Sequence, residues 1–138
     1  MTPEKVETML RARGLRVTPQ RALVFRLVRE LGAEHPSAES VHVRATREMP
    51  SLSLRTVYTI LGELEDRGAI RALDVGTGSK RFCINPLRHH HLVCTRCGRI
   101  ADVFVAVGPL EVPADQRRGF LVTEHEVVFR GICAACRS

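Results

Sequence analysis

The sequence predicts an α+β protein, helical in its first half and built of short β-rich runs in its second. Three observations carry that expectation. Four amphipathic stretches before Gly68 each open on a Ser or Thr cap, a β-hairpin pattern follows them, and two C-x-x-C pairs stand in the β-rich remainder.

Thr2-Pro3 reads as a cap and a first helical residue, with Val6, Met9 and Leu10 forming an apolar stripe that Gly14 ends. Thr18-Pro19 repeats the signal, and Leu23, Leu27 and Leu31, backed by Val24 and Val28, predict a second helix up to Gly32. Ser37 caps a third helix through about Arg47. Met49-Pro50-Ser51 breaks it, because proline excludes the preceding residue from helical geometry. Ser53 caps a fourth helix that turns Leu54, Val57, Leu61 and Leu64 inward and Arg55, Tyr58, Thr59 and Gly62 outward.

Two helices joined by a few residues, the second with a small, polar and cationic outer face, describe a helix-turn-helix whose second helix enters the DNA major groove. Ile70 to Val75 and Lys80 to Ile84, around Gly76-Thr77-Gly78, predict a hairpin, which would be the wing. Residues 1–84 are thus expected to form a winged-helix domain, 85–88 a hinge around Asn85-Pro86-Leu87, and 89–138 a second domain; an ordinary all-helical or α/β domain with the same order of helix, turn, helix and hairpin is the plain alternative. In that domain His91 to Cys94, Ile100 to Val105 and Phe120 to Phe129 read as strands, and Pro109 and Pro113 leave little room for a long helix.

At 138 residues the chain holds one domain or two small ones, which excludes a large multi-domain enzyme. Aromatic residues, at 4%, are too sparse for single-strand stacking platforms. No apolar run approaches the roughly 20 residues of a membrane span, and the N-terminus lacks a secretory core, so a cytoplasmic protein without a membrane partner is expected. The net charge of +6 is uneven: through Arg29 seven basic residues face two acidic ones. All cations but Lys5 and Lys80 are arginines, which suits bidentate phosphate contacts; a solvated helix face is the plain alternative.

Cys94-Thr95-Arg96-Cys97 and Cys133-Ala134-Ala135-Cys136 can supply four thiolates to tetrahedral zinc, and Gly98 permits the tight turn of a zinc knuckle. Disulfides, a redox pair or inert core thiols are the alternatives. A closed four-thiolate site contributes folding energy and not catalysis. Cys83 stands apart, six residues before His89-His90-His91. Strand alternation puts His89 and His91 on one face and His90 on the other. His89 and His91 with Cys83 give one ligand set, to which His35 and Asp102 can be added. His90, with His125 and a carboxylate such as Glu111 or Glu124, gives a second. Against both stands the reading of surface histidines and a small core cysteine, and His42 reads as structural or solvent-exposed.

With His89-His90-His91-Leu92-Val93-Cys94-Thr95-Arg96-Cys97-Gly98 in view, the chain resembles the ferric uptake regulator family of metal-dependent repressors. The resemblance spans nearly its whole length, through Gly14-Leu15-Arg16-Val17-Thr18-Pro19-Gln20-Arg21, Ala33-Glu34-His35-Pro36, Arg55-Thr56-Val57-Tyr58 and Gly131-Ile132-Cys133. It implies a winged-helix domain, a C-terminal α/β dimerisation domain, and a homodimer that binds a palindromic operator when its regulatory site is loaded. Carried over position by position, the regulatory site falls on His35, Cys83, His89, His91 and Asp102, and the structural zinc on Cys94, Cys97, Cys133 and Cys136. His90, Glu111 and His125 match an additional site, and Arg88 stands where that site often has a ligand. Val107 to Arg118 is shorter and richer in proline than the family's usual dimerisation helix.

Iron and peroxide sensors resembling this chain carry a carboxylate at the position of Cys83, whereas zinc sensors carry cysteine, and a thiolate among imidazoles favours Zn²⁺ over Mn²⁺. Regulatory zinc is therefore expected, with an Mn²⁺ or Fe²⁺ sensor, including a peroxide sensor, as the alternative. Arg55 and Tyr58 are expected to read bases, Thr56 and Thr59 to touch phosphate or sugar, and Arg13, Arg16, Arg21 and Lys80 to position the duplex. A zinc hydrolase would need an open coordination position with a general base beside it, and the histidines have no such base; no enzyme and no small-molecule substrate are expected. A zinc-stabilised protein-interaction module is the remaining reading from another class.

Overall fold

The computed structural model describes residues 2–76, 78–84 and 89–138. It divides into two compact units, Met1–Leu87 and Arg88–Ser138. The segment 85–88 expected to be a hinge lies outside the described residues, as do Arg88 and the central Thr77 of the hairpin turn.

In the first unit the caps act where the sequence places them. Helix α1 (Pro3–Ala12) opens on Thr2 and α2 (Pro19–Glu30) on Thr18, whose hydroxyl oxygen accepts from Arg21 N–H at 3.1 Å. Ser37 and Ser40 form a reciprocal capping box at the start of α3 (Ala38–Glu48), and Ser53 caps α4 (Leu54–Asp66) by accepting from Thr56 N–H at 3.1 Å. Helix α2 buries Leu23, Val24, Phe25, Leu27 and Val28, more than one stripe's worth, because it sits between the other three helices. Against it lie Val6 and Leu10 of α1, Val41 and Ala45 of α3, and Val57, Ile60, Leu61 and Leu64 of α4. Strands β1 (Arg71–Leu73) and β2 (Arg81–Cys83) pair antiparallel, and Phe82 adds its ring to the same core. A 3₁₀ turn at Gly32–Glu34, which no periodicity in the sequence signals, leads from α2 to α3.

The second unit is a three-stranded sheet in the order β4-β3-β5. Strand β3 (His90–Cys94) pairs antiparallel with β4 (Ile100–Val103) and parallel with β5 (Val128–Gly131), and a four-residue helix α5 (Ala134–Arg137) closes the chain. The strand expected over Phe120 to Phe129 is corrected here: only its last two residues belong to β5. Phe120 and Leu121 are 75% and 89% exposed, so that apolar run has no layer to pack on within its own chain.

Leu61 is 1% exposed at the centre of the helical core. Its replacement by alanine should lower stability by about 2–5 kcal/mol, and Ser53→Ala by about 1 kcal/mol, in urea unfolding followed by helical circular dichroism.

Candidate metal centres

Strand β3 ends on Cys94, and the chain turns at once. Gly98 takes φ +77° and donates its N–H to Cys94 C=O at 2.9 Å, which folds Cys97 back toward Cys94. The parallel β3–β5 register sets Gly131 beside Cys94, and Thr95 N–H donates to Gly131 C=O at 2.8 Å, delivering Cys133 to the same place. The four Sγ atoms of Cys94, Cys97, Cys133 and Cys136 lie within 4.8 Å of one another, with Cys97 and Cys133 3.7 Å apart. Zinc–sulfur bonds of 2.3 Å in a tetrahedron require sulfur separations of about 3.8 Å, so the cluster fits a tetrahedral Zn²⁺.

The N–H groups of Cys97 and Cys133 point at Cys94 Sγ, from 3.5 and 3.4 Å, and lower its pKa to about 5. Its neighbours, Cys133 foremost, push Cys136 up to about 12. Four crowded thiols cannot all ionise unaided. A divalent cation removes that conflict by taking all four as thiolates.

In the first unit the 3₁₀ turn hands the chain to His35, a non-glycine residue at φ 51°. The loop is tied to β2: Phe82 N–H donates to Pro36 C=O at 2.9 Å, Ser37 bridges Arg81, and the Arg81 guanidinium donates to His35 C=O at 2.9 Å. These bonds hold a His35 ring nitrogen within 4.8 Å of the Cys83 sulfur, and both residues are buried. A left-handed residue held by its surroundings is a common feature of binding sites.

In the second unit His89 Nε2 lies 2.8 Å from Asp102 Oδ1, and His91 Nε2 3.6 Å from the same oxygen. The β3–β4 register places Asp102 opposite His91, and the two imidazoles meet edge to face with centroids 4.7 Å apart. Two neighbours went unread in the sequence. The Phe104 ring stands 5.3 Å from that of His89, and Glu126 Oε2 lies 3.9 Å from His91 Nδ1. Phe104 lies one residue past the end of β4 and Glu126 two before the start of β5, inside the longer runs expected as strands; alternation assigns such residues a face but names no partner across the sheet.

The ferric uptake regulator family model matches residues 12–130, most of the chain. The chain belongs to the ferric uptake regulator family of metal-dependent transcription regulators. It is similar to the peroxide-responsive repressor PerR of Staphylococcus aureus, 32% identical over 129 residues that cover 93% of this chain and 86% of that protein. Among solved structures it shares its fold with the Helicobacter pylori ferric uptake regulator Fur, at TM-score 0.72, 22% identity, and coverage of 100% of this chain and 95% of that one. A zinc-bound manganese uptake regulator is 27% identical at TM-score 0.68, covering 96% of this chain and 99% of the other.

The additional site anticipated for this family member is not gathered. Among the described residues, no cluster of three or more ligand groups contains His90, Glu111 or His125. His90 Nδ1 accepts from Val127 N–H at 3.0 Å, while Glu111 and His125 lie exposed in the segment between β4 and β5.

On α4, Arg55, Tyr58 and Thr59 are exposed and Thr56 is half-buried. The surrounding cations differ from one another. Arg13 and Arg16 are exposed, whereas Arg21 is half-buried, with its Nε 2.7 Å from Glu63 Oε2 and Nη1 donating to Arg16 C=O at 2.8 Å. Its hydrogen bond to Glu63 raises the Arg21 pKa and fastens α2 to α4. Lys80 pairs with Glu65 at 3.0 Å. His42 is structural, its Nε2 2.8 Å from Leu52 C=O, tying α3 to the turn before α4.

Stripping metal with a strong chelator at neutral pH, or replacing Cys97 by serine, should lower the thermal midpoint of the second unit and release about one zinc per chain. A structural Zn²⁺ of this type is worth about 10–16 kcal/mol of binding free energy, so an unchanged melt would remove zinc from the account of stability.

Proposed function

We propose that this family member is a repressor that binds palindromic operator DNA as a homodimer when a regulatory ion, zinc before others, is held by His35, Cys83, His89, His91 and Asp102. The observation that carries the reading is a pair of half-sets of ligand types, buried His35 with Cys83 in the first unit and, in the second, buried His89 and His91 with a half-buried Asp102. Neither half-set alone would give a saturated coordination sphere. An ion that needs both would link its own occupancy to the angle between a DNA-reading domain, residues 1–84, and a pairing domain, residues 89–138.

In a dimer, only one such angle puts two recognition helices in successive major grooves, about 34 to 36 Å apart. Shifting that equilibrium from 1:99 to 99:1 needs about 5.5 kcal/mol of differential affinity, which an ion touching both domains can supply and the four-cysteine zinc cannot. Homodimerisation is supported by the apolar side chains that the second unit leaves exposed, Phe104, Leu110, Phe120 and Leu121 among them.

The Cys83 thiolate favours zinc, since manganese prefers oxygen and nitrogen. A second reading, an iron- or manganese-loaded peroxide sensor, is favoured by the likeness to PerR and by Asp102, a hard oxygen donor beside two imidazoles. Base reading falls to Arg55 and Tyr58, and phosphate positioning to Arg13 and Arg16, with Lys80 and Arg21 joining once their carboxylate partners release them.

Operator binding, measured on a duplex selected from a random pool and titrated with Zn²⁺, Mn²⁺ and Fe²⁺, tests the assignment. Zinc should tighten binding, and Cys83→Ser should raise the zinc concentration required by at least the roughly 10–100-fold that loss of an outer-shell partner costs a metal site. An unchanged zinc response in Cys83→Ser would defeat the zinc reading. Oxygen added to His35 or His89 after anaerobic iron loading and peroxide, seen by mass spectrometry, would select the alternative. Arg16→Ala should lower the salt slope by about one unit and weaken all sequences alike, whereas Arg55→Ala should relax preference at one operator position.

A further inference from the structure

We propose that Glu39 is a positioning residue that sets the hydrogen-bonding polarity of the recognition helix: it accepts the hydrogen bond that the Tyr58 hydroxyl donates, so that Tyr58 reads a base presenting an amino group in the major groove, adenine or cytosine. The inference rests on the reading of α4 as the DNA-contacting helix and specifies what that helix recognises.

Tyr58 is 47% exposed on α4, and its hydroxyl donates to Oε1 of Glu39, in the first turn of α3. Glu39 is ionised: the Tyr58 hydrogen bond first, then its own backbone N–H and Ser37, hold its carboxyl below the usual range. The positive end of α3 favours the same charge. An ionised carboxylate has no proton to give, so the shared hydrogen belongs to Tyr58, and the same bond raises the phenol's pKa. A phenol has one proton. With that proton committed, its oxygen offers DNA only lone pairs.

This restricts what Tyr58 can touch. Phosphate oxygens, guanine O6 and N7, and thymine O4 are all acceptors and give an acceptor nothing to bind. Adenine N6 and cytosine N4 carry amino donors in the major groove. Thr59 follows the same pattern, its hydroxyl donating to Arg55 C=O at 3.1 Å, so it fits a phosphate contact poorly as oriented. The face therefore presents the Arg55 guanidinium as a donor beside the acceptor oxygens of Tyr58 and Thr59. Arg55 suits guanine, and Tyr58 suits adenine or cytosine on the strand it faces.

Selection from duplexes with randomised half-sites, with Zn²⁺ present, by the wild type, Glu39→Ala, Tyr58→Phe and the double variant tests this. The wild type should favour adenine or cytosine over guanine and thymine at one position by about fivefold. Tyr58→Phe should flatten that position. Glu39→Ala should admit guanine or thymine there, because the freed proton can be donated, while the position read by Arg55 keeps its preference. The double variant should match Tyr58→Phe. Both side chains are exposed, so neither change threatens the core. A Glu39→Ala variant that changes affinity equally for all sequences, or keeps the wild-type ranking at the Tyr58 position, overturns the role of Glu39 and leaves DNA reading intact. A wild type that enriches no sequence overturns DNA reading itself, and this inference with it.

Discussion

The second unit has to hold its shape with almost no apolar interior. Among its described residues only His89, His91, Val93, Cys94 and Ile100 are buried. So small a core gives far less stabilisation than ordering the segment costs, and domains of this size usually need a staple. The convergence of four cysteine sulfurs would supply that staple through a bound Zn²⁺. The thiols repel one another as they ionise, and Zn²⁺ would turn the repulsion into the strongest interaction of the unit. The consequence reaches beyond the cysteines. Cys94 is the last residue of β3, so whatever anchors it fixes the register that sets His91 opposite Asp102, with His89 two residues upstream. A structural ion at one end of the strand would thereby preorganise the ligands at the other.

The first unit is stabilised by ordinary means. Capped helices bury a contiguous apolar core, and the loop carrying His35 is fastened to β2 by backbone and guanidinium hydrogen bonds. Polar interactions there do a second task, which is to divide the arginines. Arg21 serves the interior of the helix cluster through Glu63, whereas Arg16 and Arg55 face water and remain able to meet a polyanion. The same division by carboxylates governs the recognition helix, where the partner of Tyr58 determines which chemistry its hydroxyl presents.

The four long helices were legible because their signals are local: a Ser or Thr cap, a stripe at helical spacing, and a glycine or proline stop. The two C-x-x-C pairs were legible for the same reason, since the spacing of two thiolates within one turn is a property of a few residues. What the sequence could not display arises from packing between distant residues. Phe120 to Val122 look like strand residues, yet a strand needs a partner, and β5 begins only where the chain reaches β3 at Val128. Arg21 reads as one more exposed cation until Glu63, 42 positions later, is placed against it. The contacts of Glu126 with His91, of Phe104 with His89 and of Glu39 with Tyr58 are likewise invisible to periodicity. For the metal ligands, strand parity separated His90 from its neighbours, but parity could not gather His90 with Glu111 and His125, which the described chain leaves apart.

The central claim is that one regulatory ion takes a single thiolate together with imidazoles from both units. Cobalt(II) reports this directly when the four-cysteine site is first filled with zinc. The account predicts one further Co²⁺ per chain with a sulfur-to-cobalt charge-transfer band, the band lost in Cys83→Ser and the affinity sharply reduced in both His35→Ala and His89→Ala. A further Co²⁺ that binds without that band, or equally well after either histidine is removed, would contradict it.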